Sequence, residues 1–221
     1  MGTGHDRAQP QASAAGEPVG PGPADLDRMV AELLARGWTL IDDFLPPSEL
    51  RLWRDWALAQ RACLTPARVG RERRLDPALR GDRTLWIDNL GEVEGGAPLA
   101  ARFEQLRLCL NRDCLLGLDT LELHLACYPP GGHYAPHHDR VRDDDTRMLS
   151  CVLYLNEAWM ADDGGELQLF ESDDPHGEAS SVQPLGGRLA LFLAEGRLHE
   201  VRASRRERWS LTGWFRRRTS V

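Results

Sequence analysis

A chain of 221 residues with 42% hydrophobic residues suits one domain with enough core to fold without disulfide staples. All 27 of its basic residues are arginine, and the absence of lysine excludes Schiff-base and P-loop mechanisms, which need that side chain as nucleophile or phosphate ligand. The formal net charge of −7 argues against broad nucleic-acid binding.

Residues 1–24 are rich in Gly, Pro and Ala with almost no large apolar side chains, so they cannot offset their ordering entropy and read as a disordered tail. A helix is expected over Asp25–Arg36, closing at Gly37, and a second over 49–62 with Ser48 as N-cap after Pro46 and Pro47. Trp53 and Trp56 on it read as core. Residues 64–97 are rich in Arg, Asp and Gly, show no persistent apolar period and are expected to be irregular. A third helix over 98–116 carries Leu99, Phe103, Leu106 and Leu110 at helical spacing. Short apolar runs come next at 147–156, 164–170, 186–194, 198–201 and 208–215, punctuated by Gly, Asp and Pro. That is the pattern of an antiparallel barrel or jelly roll. The fold class is therefore mainly β with flanking helices, divided into the tail (1–24), an N-terminal part (25–117) and a jelly-roll core (118–221).

No run of about 18 apolar residues and no signal-peptide pattern occurs, so neither a membrane span nor secretion is expected and the reading is cytoplasmic. The five cysteines are odd in number and lack C-x-x-C pairing, so disulfides are not expected. Acidic runs at Asp143–Asp145, Asp162–Asp163 and Asp173–Asp174 lack calcium-loop periodicity and read as solvated turns. His5, His124, His133 and His176 are not favoured as ligands.

The chemistry concentrates in HYAPHHD (133–139) and in the strands C-terminal to it. Residues i and i+2 of a strand share a face, so His137 and Asp139 can hold one metal from a single strand while His138 points away. With His199 they compose a 2-His-1-carboxylate set, which leaves one side of a ferrous ion open for a chelating cosubstrate and dioxygen. Arg208, Ser210, Thr212 and Trp214 share one face of the last strand, as do Ser150, Val152 and Tyr154 on an earlier one. An inward Arg208 is a natural carboxylate anchor, because its planar fork matches two oxygens. Arg202, Arg205, Arg206 and Arg216–Arg218 lie nearby, so a rim arginine is the alternative.

GWTLIDDFL (37–45), LRGDRTLWID (79–88), LACYPPGGHYAPHHD (125–139), CVLYLNEAW (151–159), GGELQLF (164–170) and LHEVRASRRERWSLTGWF (198–215) together resemble the prolyl 4-hydroxylase-like dioxygenases that depend on 2-oxoglutarate and Fe(II). Within them the chain is similar to the hypoxia-inducible-factor prolyl hydroxylases and their bacterial relatives. The resemblance implies a double-stranded β-helix core, His137, Asp139 and His199 as iron ligands, and Arg208 as partner of the 2-oxoglutarate C5 carboxylate. It also implies Tyr128, Tyr154 and Thr212 in the cosubstrate pocket, Trp214 beside the metal, and a mobile lid over 64–97 with Arg80, Asp82, Trp86 and Tyr134 on the substrate side. An Arg80–Asp82 structural pair is the alternative for those two residues. The cofactors implied are Fe(II), 2-oxoglutarate and O2, with L-ascorbate as an optional addition.

The resulting expectation is hydroxylation of a target proline in a protein, with a translation elongation factor as the first candidate partner. Competing readings on the same core are a small-molecule (free amino acid) hydroxylase and a sensing module without turnover.

Overall fold

The computed structural model describes residues 21–68, 74–140 and 146–218. Pro23 presets φ for a first helical turn and Gly37, at φ 75°, supplies the left-handed closure, so helix α1 spans Pro23–Arg36. It begins two residues before the expected boundary; the rest of the expected tail, 1–20, lies outside the described residues. Helix α2 (Pro47–Ala59) starts from Pro46 rather than from a Ser48 cap, because Pro47 already occupies the first helical position, and it passes into a 3-10 turn at Gln60–Cys63. Helix α3 (Ala97–Cys114) buries Leu99, Phe103, Leu106 and Leu110, as its spacing predicts.

The strands are β1 (Trp38–Ile41), β2 (Thr65–Pro66), β3 (Arg83–Ile87), β4 (Leu118–Tyr128), β5 (Tyr134–His137), β6 (Arg147–Tyr154), β7 (Leu167–Phe170), β8 (Ala179–Val182), β9 (Leu189–Leu193), β10 (His199–Val201) and β11 (Arg208–Arg217). A seven-stranded sheet runs β1-β9-β6-β11-β4-β3-β2 and faces a four-stranded sheet, β5-β10-β7-β8. Segment 64–97 therefore departs from the expected irregular loop. Leu85 and Ile87 of β3 pack against the helical core while Thr84 and Trp86 point the other way, and β3 pairs along β4 from Arg83↔Cys127 to Ile87↔Leu123. Flanking charges mask an alternation only five residues long.

Strict alternation along the long strands separates two interiors. Leu125, Cys127, Trp209 and Leu211 join α1, α2 and α3 on the outer face of the large sheet. Ala126, Tyr128, Val152, Tyr154 and Phe192 face inward against Leu167, Leu169 and Val201 of the smaller sheet. The space between the sheets holds the candidate site. No helix among the described residues is long and apolar enough to cross a membrane, and all five cysteines are free.

Candidate metal and cosubstrate site

Antiparallel pairing of β5 with β10 sets His199 directly opposite His137. Strand β5 ends at His137, so Asp139 lies in the bend beyond it rather than on the strand itself. It still turns to the same side. One ligand atom from each of His137, Asp139 and His199 falls within 4.8 Å of the other two. His138 turns away, with Nε2 3.4 Å from Asp173.

The tautomers follow from the backbone. His137 Nδ1 lies 2.9 Å from the Ala135 carbonyl and His199 Nδ1 3.0 Å from that of Arg197. A carbonyl only accepts, so each Nδ1 carries the proton and each Nε2 keeps its lone pair for a metal. Those Nε2 atoms stand 3.7 and 3.5 Å from the Asp139 carboxylate. Burial, then His199, holds His137 below the ordinary histidine range. Burial opposes ionisation of Asp139, but His199, His137 and the Ser150 hydroxyl, which donates to Oδ2 at 2.7 Å, outweigh it and keep the pKa low. Two imidazole Nε2 atoms and one carboxylate on one side of a cavity are a donor set that fits ferrous iron.

The triad opens into a narrow cleft lined also by Tyr128, Tyr134, Thr212 and Trp214 and reaching Arg208. Arg208 is 1% exposed, and no carboxylate of the described residues pairs with it. Its Nε donates to the Gly165 carbonyl at 2.8 Å, and its guanidinium carbon lies 5.1 and 5.0 Å from the Tyr128 and Tyr154 ring centres. The Tyr154 hydroxyl is buried without a hydrogen-bond partner among the described residues, and burial raises the pKa of both tyrosines. Both therefore stay neutral donors. The Thr212 hydroxyl shares a hydrogen bond with Ser210 at 2.9 Å, and Trp214 lies 3.5 Å beneath the Arg147 guanidinium.

On the mouth side Arg80 and Asp82 form a bidentate pair, 2.6 and 2.9 Å, with Asp82 fully enclosed. The pairing given as the alternative for these two is thus present, and Arg80 also covers Tyr134 at 4.6 Å. Tyr134 in turn stacks on His137 at 3.5 Å. Trp86 is 46% exposed at the rim and lies over His124. Ser150 lines the site on the face that strand alternation gave it, whereas His124 is a lining residue that sequence patterning did not single out.

Residues 123–216 match the model of the 2OG-Fe(II) oxygenase superfamily. The human prolyl hydroxylase EGLN3 is 32% identical over 146 residues, 62% of this chain and 59% of that protein, so the chain spans less than two thirds of such relatives. A crystal structure of a Pseudomonas putida prolyl-4-hydroxylase superposes with a TM-score of 0.77 at 42% identity, covering 88% of this chain and 100% of that one. A Trichoplax adhaerens prolyl hydroxylase in complex with a hypoxia-inducible-factor oxygen degradation domain peptide gives 0.75 at 25% identity, over 86% and 88% of the two chains.

Proposed function

Because the chain belongs to the prolyl-hydroxylase-like oxygenases that use 2-oxoglutarate and Fe(II), we propose that it hydroxylates a prolyl residue of a protein substrate, with succinate and CO2 as co-products. The observation that carries this reading is Arg208. A buried guanidinium with no carboxylate partner among the described residues is costly unless a ligand supplies the anion. Placed across the cleft from the triad, it selects a molecule bearing a carboxylate at one end and metal-binding oxygens at the other.

His137, Asp139 and His199 would hold Fe(II), and the Arg208 fork with the Tyr154 hydroxyl would take the distal carboxylate of 2-oxoglutarate. When bound, the iron and the 2-oxo acid supply O2-dependent oxidation of a C–H bond. The chain's own residues do the rest. Ser150 fixes the Asp139 carboxylate, the carbonyls of Ala135 and Arg197 fix the imidazoles, and Phe192, Val152 and Leu167 keep the wall dry. Trp86 and Tyr134 would line the approach of the peptide, behind the frame that Arg80 and Asp82 brace.

The resemblance to bacterial prolyl hydroxylases makes a translation elongation factor the first protein to assay, with and without L-ascorbate. Purified protein should convert 2-oxoglutarate to succinate only with Fe(II), and Asp139→Ala should not. Equal conversion by the Asp139→Ala variant would overturn the assignment.

A further inference from the structure

On sequence patterning His124 is one more strand histidine. In the fold it lies on β4, opposite Thr212 of β11, between the Arg208 end of the cleft and the Trp214 end beside Asp139. Its ring is 1% exposed, and neither nitrogen has a hydrogen-bond partner among the described residues. Burial, then the Arg80 charge, pushes its pKa down to about 3, so it is a neutral ring with one donor and one acceptor.

Every neighbour that could satisfy it fails to do so. Trp86 at 4.9 Å and Trp214 at 5.6 Å make tilted ring contacts and no hydrogen bond to it, and the Thr212 hydroxyl is engaged with Ser210. The remaining side is the cleft. A buried polar group left unmade is destabilising, and such groups in native folds point to a missing partner.

We propose that His124 is a further binding residue of this cleft, donating from one ring nitrogen to a carboxylate oxygen of the bound 2-oxo acid. The assignment rests on the function proposed above. A dicarboxylate offers acceptors, which suits a neutral N–H, and the second ring nitrogen suits a water molecule held in the same space. An imidazole that merely filled space between two tryptophans would be served better by an apolar side chain.

The full chain loaded with Mn(II) in place of iron, titrated calorimetrically with 2-oxoglutarate, tests this. His124→Met should weaken 2-oxoglutarate about tenfold, the size of one lost hydrogen bond to a charged group. Mn(II) affinity should not change, and the thermal midpoint without ligand should hold or rise, since unpaired polar atoms have been removed. His124→Gln, which keeps a donor and an acceptor, should recover most of the affinity. Wild-type affinity in His124→Met would overturn the assignment, and so would a parallel fall in Mn(II) affinity or thermal midpoint, which would make the ring structural. A wild type that binds Mn(II) but no 2-oxoglutarate would overturn the proposed function itself, and this assignment with it.

Discussion

Asp139 is the one anionic ligand, and its replacement by Ala should abolish metal retention measured by equilibrium dialysis, whereas His138→Ala should retain metal because its ring faces Asp173. Loss of metal in His138→Ala with retention in His137→Ala would reverse the side-chain directions described. Ser150 acts through Asp139, so Ser150→Ala should lower metal affinity about 10–100-fold. Arg208→Ala should weaken 2-oxoglutarate by about 2–5 kcal/mol while sparing the metal, since it removes one partner of a desolvated charge pair. Unchanged 2-oxoglutarate affinity would move the anchor elsewhere. At this scale the triad was legible because His137 and Asp139 carry ligand chemistry two residues apart, although Asp139 lies in the bend beyond β5 and not on the strand as alternation implied. His124 and the Ser150 bond to Asp139 were not, because a buried polar residue reveals its role only by the partner it has or lacks, and that is a tertiary fact.

Among the elements, the pairing of β4 with β11 sets the depth of the cleft, since it fixes Tyr128 against Arg208 and His124 against Thr212. Gly213 is what lets the two strands approach. A Cβ there would fall 1.9 Å from the Glu122 carbonyl oxygen. Gly213→Ala should therefore cost about 1–3 kcal/mol of stability in chemical denaturation, as overpacking does, and should weaken 2-oxoglutarate binding along with it. A variant as stable as the wild type would show that the strands can separate freely. Helices α1 and α3 were readable from Gly37 and from the Leu99, Phe103, Leu106 and Leu110 spacing. Strand β3 was not, because its alternation is short and edged by Arg83 and Asp88, and pairing with β4 supplies what local propensity lacks. Of the segment expected as a lid, Thr65–Pro66 and Arg83–Ile87 are strand and Leu90–Glu92 is a 3-10 turn, and 69–73 lie outside the described residues.

For the whole molecule, two sheets with helices on one outer face leave an inter-sheet space whose deep end holds the Arg208 cation and whose other end holds three metal donors. Beside the cleft Trp86, a large apolar side chain, is left half exposed against His124 and Trp214. Short apolar runs made the jelly-roll architecture legible, whereas the identity of the proposed substrate depends on a surface that no periodicity encodes. The most direct measurement is oxygen incorporation under 18O2. Purified protein, Fe(II) and 2-oxoglutarate are incubated with a purified elongation factor and with proteins from cells lacking the gene, and tandem mass spectrometry then locates the label. The expected result is one labelled oxygen on a prolyl residue of a protein, absent with Asp139→Ala; label on a free amino acid with none in any protein would contradict it.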